Sequence, residues 1–148
     1  DVANIGSTLA QNNGNLGRIQ GPVHFDGGDG ADRLNLNDVG RGASVNYDVG
    51  SGFMRTGAGS SSNAMAEISY ASTERLRLEG TPFRNHVNVT PSTETAYSFF
   101  GDGGYNTIAV AGDSSDGRQF FGENGVKGTW TFDNDQKDIY FEDFFIMI

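Results

Sequence analysis

Apolar and polar residues alternate in short runs along most of the chain, which is the period of a β-strand that buries one face. The alternating apolar pairs are Leu34/Leu36, Val45/Tyr47, Ile68/Tyr70, Leu76/Leu78, Val87/Val89, Tyr97/Phe99 and Ile108/Val110. Runs rich in Gly, Asn, Asp and Ser, which favour turns, stand between them. The pattern predicts an all-β protein of short strands. We expect a helical turn only at residues 64–67, and we expect residues 53–55 to extend the strand at 45–49.

The segment from residue 25 to residue 38 joins a glycine-rich turn to a strand, and parts of this unit recur. The segments that align with it are 1–6, 80–89 and 99–110. The residues that fall at its Asp32 position are Asp1, Asn85 and Asn106. Repeated turn-and-strand units, each offering few inward side chains, are typical of stacked coils. We therefore predict a parallel β-solenoid, similar to a β-helix or β-roll, over residues 1–113.

Residues 27–35, Gly-Gly-Asp-Gly-Ala-Asp-Arg-Leu-Asn, resemble the nonapeptide of the repeats-in-toxin (hemolysin-type calcium-binding) family. With segments 16–23 and 68–78, the repeats also resemble degenerate repeats of very large secreted bacterial surface proteins. The first resemblance implies stacked turns that hold Ca²⁺ between them. The second implies an extracellular, structural or adhesive role at the cell surface, with no reaction.

The acidic side chains of the glycine turn suggest two different roles. Ca²⁺ takes six to eight oxygens, and the turn offers carboxylates from Asp26, Asp29 and Asp32 together with backbone carbonyls. These residues are therefore the predicted Ca²⁺ ligands. The alternative is that Asp32, Asn85 and Asn106 cap their turns by bonding to backbone N–H groups and form a ladder.

Aromatic strands replace aliphatic ones in residues 114–148, which we interpret as a C-terminal cap or docking segment of the same domain. Trp130 and Phe132 are expected to form a hairpin with Ile139 and Phe141. Exposed apolar ends and unpaired strand edges are seldom tolerated, so we predict head-to-tail self-association. The residues predicted to carry it are Val2, Ile5, Phe141, Phe144, Phe145, Ile146, Met147 and Ile148.

Composition narrows the classes of partner. The 148 residues carry a formal net charge of −9, which disfavours nucleic acid and anionic membranes. The chain contains 22 glycines and no cysteine, so disulfides and thiolate metal sites are excluded. No apolar stretch approaches the length of a membrane span, and no signal peptide precedes Asp1, which we take as a processing or excision point. Copies of the chain and cell-surface polysaccharide remain as predicted partners.

Residues able to carry catalysis are few. His24 and His86 are the only histidines, and neither lies in a nucleophile motif. A polysaccharide lyase or glycosidase on a β-helix scaffold is the enzymatic alternative. Its catalytic groups would come from Glu74, Arg75, Arg77 and Glu79. Ion pairing on a solvated strand face explains the same four residues more simply, and we predict a non-enzymatic structural module of an extracellular filament, sheath or adhesin.

Overall fold

The computed structural model describes residues 1–6, 13–60, 64–112, 119–123 and 126–146, and it contains two seven-stranded sheets. Sheet A contains, in spatial order, β1 (Val2–Ile5), β3 (Arg33–Asn37), β7 (Arg75–Glu79), β9 (Ala96–Phe100), β13 (Ile139–Glu142), β12 (Lys127–Thr131) and β11 (Gln119–Glu123). Sheet B contains β14 (Phe145–Ile146), β10 (Thr107–Val110), β8 (Asn85–Val89), β4 (Val45–Gly50), β5 (Phe53–Thr56), β6 (Ile68–Ala71) and β2 (Val23–Asp26). A short 3₁₀ helix spans Leu16–Arg18.

Strand direction is nearly uniform within each sheet. In sheet A, β1, β3, β7, β9 and β13 pair in parallel, and β12 pairs antiparallel with both β13 and β11. In sheet B, β5 pairs antiparallel with β4 and β6, while the remaining pairs are parallel. Consequently the two outermost strands of sheet A, β1 and β11, run in the same direction. The same holds for β2 and β14, the outermost strands of sheet B.

The prediction of an all-β protein is confirmed, but the predicted parallel β-solenoid is wrong. Both sheets mix parallel and antiparallel strands, and neither closes on itself among the described strands, so the fold is a jelly-roll-like sandwich. The chain reverses at Ser51 and Gly52, where Gly52 adopts a φ of +84°. A tight turn with a left-handed residue returns the chain beside the strand it has just left, as an antiparallel neighbour. Residues 53–56 therefore form a separate strand instead of extending β4.

The core lies between the sheets and is formed by the alternating apolar residues. β3 and β7 share one burial pattern, in which Leu34, Leu36, Leu76 and Leu78 are buried and their polar neighbours are more exposed. Val87, Val89 and Ile108 are buried as well, whereas Val110 is half-buried at the end of its strand. Alternation along the sequence thus identified the inward face of these strands correctly.

The structure corrects two further predictions. Residues 64–67 contain no helical turn, and the described 3₁₀ helix lies at Leu16–Arg18. The four positions aligned with Asp32 divide between the sheets. Asp1 and Asp32 precede the neighbouring strands β1 and β3 of sheet A, whereas Asn85 begins β8 and Asn106 precedes β10, which are neighbours in sheet B. The predicted hairpin between β12 and β13 is confirmed, and the strands after residue 118 continue both sheets.

Candidate functional site

The glycine turn between β2 and β3 places its three aspartates in different environments. Asp26 and Asp29 are exposed, and Asp26 Oδ1 accepts a hydrogen bond from the Gly28 amide at 3.2 Å. Asp32 is buried and forms an ion pair with the amino group of Asp1. Its own amide donates to Glu74 Oε2 at 2.5 Å. The turn therefore has one buried carboxylate and two exposed ones.

The Asp32 carboxylate is incompletely satisfied, since its buried Oδ2 has no hydrogen-bond partner. A buried carboxylate oxygen without a hydrogen-bond partner is a suitable ligand for a cation. The exposed carboxylates of Asp26 and Asp29 do not by themselves require one. Within the described ranges, no group of three or more His, Cys, Asp or Glu side chains is placed to hold a metal ion. The three predicted ligands are thus not brought together. Of the three, Asp32 is the one with a buried oxygen that lacks a hydrogen-bond partner, and its other oxygen pairs with the amino group of Asp1.

The acidic pair of the enzymatic alternative, Glu74 and Glu79, lies at opposite ends of β7. Glu79 accepts hydrogen bonds from Arg77 Nη2 at 2.7 Å and from Asn37 Nδ2 at 2.9 Å, while Glu74 bonds to the Asp32 amide. Five residues of strand separate their backbones by about 16 Å. The carboxyls of most glycosidases are about 5–10 Å apart. The pair therefore matches an ion-paired strand face better than a hydrolytic site.

The two histidines lie on the outer face of sheet B, on β2 and β8. His24 Nδ1 is 3.0 Å from the Ser69 hydroxyl oxygen. His86 Nδ1 is 2.7 Å from the Thr107 hydroxyl oxygen, and its Nε2 is 2.9 Å from Asn88 Oδ1. Asn88 in turn donates to Asp48 at 3.1 Å. These bonds link neighbouring strands across the sheet, which accounts for both histidines without catalysis.

Residues predicted to mediate self-association divide into buried and accessible groups. Phe141 and Phe144 are buried in the core of the chain itself. Val2 and Phe145 are 63% and 39% exposed, and Ile5 and Ile146 are half-buried against the core. Met147 and Ile148 lie outside the described residues. The accessible members sit on β1 and β14, which are outermost strands of the two sheets.

Asn85 and Asn106 form a buried ladder between neighbouring turns, which confirms the predicted capping role of these two residues. Asn106 Oδ1 accepts from the Asn85 amide at 2.9 Å and from Asn85 Nδ2 at 2.8 Å. Asn85 Oδ1 accepts from the Thr81 amide at 3.0 Å. Asn106 Nδ2 donates to the carbonyls of Gly103 and Asp143 at 2.7 and 3.0 Å. The ladder thus fixes three successive crossings from sheet A to sheet B.

Three exposed aromatic residues accompany this ladder, and of these only Phe145 was singled out from the sequence, as a self-association residue. We call Phe83, Tyr105 and Phe145 the aromatic corner. Phe83 is 47% exposed and Tyr105 60% exposed. The rings of Tyr105 and Phe145 stack with centroids 4.8 Å apart. Their position in the sequence could have identified two of them, since Phe83 lies two residues before Asn85 and Tyr105 lies one residue before Asn106.

A buried charged cluster, also not predicted, joins Asp38, Arg41 and Tyr47. Asp38 Oδ2 accepts from the Tyr47 hydroxyl at 2.7 Å and from Arg41 Nη1 at 3.2 Å. Asp38 Oδ1 accepts from the Leu16 amide at 2.7 Å. Burial raises the pKa of the Asp38 carboxyl, and the bond from Tyr47 and the charge of Arg41 oppose that rise. Burial and the neighbouring carboxylate also raise the pKa of Tyr47 well above its ordinary value. The cluster anchors the 3₁₀ helix and the crossing from β3 to β4.

Comparison with protein-family models, with curated proteins and with solved structures gives no match for this chain. The resemblance of residues 27–35 to the repeats-in-toxin nonapeptide therefore stays a prediction. The described part of the chain holds no helix long and apolar enough to cross a membrane.

Proposed function

We propose that this protein is a non-enzymatic structural module of an extracellular filament, sheath or adhesin, which assembles head to tail with copies of itself. The observation that carries the proposal is that apolar side chains at the two ends of the sandwich are only partly buried. β1 and β2 form one end, and β11 and β14 form the other. Inward-facing side chains on β1, β2 and β14 are covered only in part, because none of the described strands lies beyond these three. They are Ala3 and Ile5 on β1, Val23 and Phe25 on β2, and Ile146 on β14.

Strand direction favours a head-to-tail contact. The outermost strands of each sheet run the same way, so a second copy displaced along the sheets places β2 parallel to β14 and β1 parallel to β11. Strand addition of this kind pairs free backbone groups and buries apolar side chains together. The two surfaces differ, so the contact does not close by a two-fold axis and extends into a fibre. The extracellular setting rests on the resemblance to secreted surface repeats.

Blocking one end at a time tests the assembly. Val2→Lys places a charge on β1, and Ile146→Lys places one on β14, so each variant alone should stay monomeric in sedimentation velocity. Thr90→Lys adds the same charge at an exposed position at the end of β8, away from the outermost strands, and should assemble like the parent. Thermal melts check that each variant folds.

Mixing the two blocked variants distinguishes the head-to-tail contact from a two-fold one. Each retains one intact end, so the mixture should form dimers and nothing longer. Dimers of Ile146→Lys alone would indicate a two-fold contact between heads and contradict the proposal. A parent protein that stays monomeric at every concentration would contradict it as well.

Ca²⁺ is part of the proposal as a stabilising ligand at Asp32, supported by the orphaned Oδ2. An ion held only by the folded state stabilises it by about 1.4 kcal/mol at tenfold excess over Kd. We therefore expect Ca²⁺ to raise the Tm by about 3–6 °C over a chelated sample. Asp32→Asn should abolish the shift, and Asp135→Asn, in an exposed loop, should preserve it. Equal melting with and without chelator would leave Asp32 with a structural role only.

A further inference from the structure

Two arginines lie side by side on the outer face of sheet A. Arg33 on β3 and Arg75 on β7 are partners in the parallel register, and both side chains are exposed. Their backbones are therefore about 4.8 Å apart. Among the described residues, neither side chain takes part in an ion pair or a hydrogen bond, whereas Arg77 Nη2 on the same face is 2.7 Å from Glu79 Oε1. Two like charges thus stand in register with no anion between them.

The stability of the fold does not explain this pair. Like charges directly opposite one another on neighbouring strands destabilise a sheet. Charged side chains on an edge strand can prevent unwanted pairing, but β3 and β7 are interior strands of sheet A. Glu74, which precedes Arg75, bonds to the Asp32 amide instead. Positions that cost stability at a surface are typical of function.

We propose that Arg33 and Arg75 bind the carboxylate of a hydroxylated acid, the chemistry of a sugar acid, on the outer face of sheet A. A guanidinium group presents a planar fork of N–H donors that matches the two oxygens of a carboxylate. A carboxylate between the two guanidinium groups would accept from both and offset their repulsion. The net charge of −9 opposes a polyanion. The pair therefore favours a ligand with a single carboxylate over an acidic polymer.

Neutral polar side chains lie one step further along the same face. Asn4, Asn35 and Ser98 occupy the next row, about 6.6 Å from the two arginines along the strands, with Arg77 between Asn35 and Ser98. Asn35 Nδ2 donates to Asn4 Oδ1 at 2.9 Å. Amide and hydroxyl side chains both donate and accept, as sugar hydroxyls do. This row is the reason for a hydroxylated ligand, whose carboxylate would lie on the arginines and whose hydroxyls would lie on the row.

Saturation-transfer difference NMR tests the site with a matched pair of probes. Methyl β-glucuronide and methyl β-glucoside share the same ring and differ in the carboxylate. We expect saturation transfer to the glucuronide, with a Kd in the millimolar range, and none to the glucoside at the same concentration. The method observes the ligand, so it works on monomers and on fibres. The inference is therefore tested independently of head-to-tail assembly.

Single substitutions assign the binding to the pair. Arg33→Gln and Arg75→Gln should each raise the Kd about tenfold, the effect of losing one charge-assisted hydrogen bond. Both variants should melt no lower than the parent, because each removes a like-charge contact. Arg84→Gln is the matched control, since Arg84 is an exposed arginine in a turn outside the pair, and should bind like the parent.

Four outcomes overturn the inference. The first is an absence of saturation transfer to the glucuronide, and the second is equal binding by the parent and both glutamine variants of the pair. The third is displacement of the glucuronide by acetate or inorganic phosphate at equal concentration, which would show a site for any small anion. The fourth is loss of assembly in Arg75→Gln without saturation transfer in the parent, which would assign the pair to acidic groups of a second copy.

Discussion

Asp38→Ala is expected to lower the free energy of unfolding by about 3–5 kcal/mol, the cost of removing one partner from a buried ion pair. The Asp38 carboxylate accepts from the Arg41 guanidinium, the Tyr47 hydroxyl and the Leu16 amide. All four residues are buried, so water cannot readily replace the lost acceptor. In the variant, the Arg41 guanidinium, the Tyr47 hydroxyl and the Leu16 amide each lose the acceptor that Asp38 provides. Urea unfolding measures the difference.

Asp48→Ala is the matched control for this experiment. Asp48 is partly exposed on the outer face of sheet B, where it lies 3.7 Å from Arg55. Exposed ion pairs contribute about 0–1 kcal/mol. A loss at Asp38 no larger than the loss at Asp48 would show that the buried cluster does not stabilise the fold.

The pH dependence provides a second measurement at Asp38. Its pKa in the folded state is raised above the ordinary value of 3.8, with burial as the main cause. At a pH between the unfolded-state pKa and the higher folded-state pKa, the folded protein therefore binds more protons at Asp38 than the unfolded chain does. The contribution of Asp38 to stability falls as pH rises from the first pKa to the second. Asp38→Asn cannot titrate and should flatten this part of the stability profile. An unchanged slope in the variant would assign the pH dependence to other groups.

Alternation was sufficient to predict which side of a strand is buried, because it depends only on neighbouring residues. It gave the inward faces of β3, β7 and β8 correctly. It would also have separated Phe144, which is buried, from Phe145, which is exposed, had the C-terminal run been treated as alternating instead of uniformly apolar. The alternation in the C-terminal run therefore indicates which of its two phenylalanines faces the core.

Strand pairing was the harder problem, because it depends on which way the chain leaves each strand. The turn at Ser51 and Gly52 contained a hairpin signal, a tight glycine-containing link between Val49 and Phe53. If this link is interpreted as a loop at the end of a solenoid coil, the antiparallel strand β5 is not predicted and sheet B is expected to be uniformly parallel.

The buried cluster of Asp38 shows a related limit. Asp38 and Arg41 are close in sequence, but the Leu16 amide reaches them only through the tertiary fold.

The ladder asparagines show how far a local alignment can reach. Aligning Asn85 with Asn106 gave the register of β8 and β10 correctly, since the residues that follow them, His86 and Thr107, pair in sheet B. Extending the alignment to Asp32 failed, because Asp32 precedes a strand of the other sheet. The same register places Phe83 and Tyr105 on neighbouring turns. The aromatic corner could therefore have been predicted from this alignment together with the position of the two aromatic residues beside the ladder.

Asn106→Ala is expected to lower the free energy of unfolding by about 3–5 kcal/mol, since each buried polar group left without a partner costs about 1–3 kcal/mol. The side chain of Asn106 satisfies the Asn85 amide and the Asn85 side-chain nitrogen, as well as the Gly103 and Asp143 carbonyls. Water entering the space would satisfy some of these groups, which keeps the expected loss below the sum of all four. Thermal and urea unfolding measure it.

A local measurement separates loss of the ladder from general destabilisation. Hydrogen exchange at the Asn85 amide, which donates to Asn106 Oδ1, should accelerate more in Asn106→Ala than exchange at the Leu36 amide in the middle of β3. Asn88→Ala is the matched control, because Asn88 is exposed and bonds only to side chains of the outer face among the contacts described above. Its loss should stay near 1 kcal/mol or below. Equal losses of unfolding free energy in Asn106→Ala and Asn88→Ala, with unchanged protection of the Asn85 amide, would contradict this prediction. The turns beneath the aromatic corner would then be held by their glycines and backbone and not by the buried ladder.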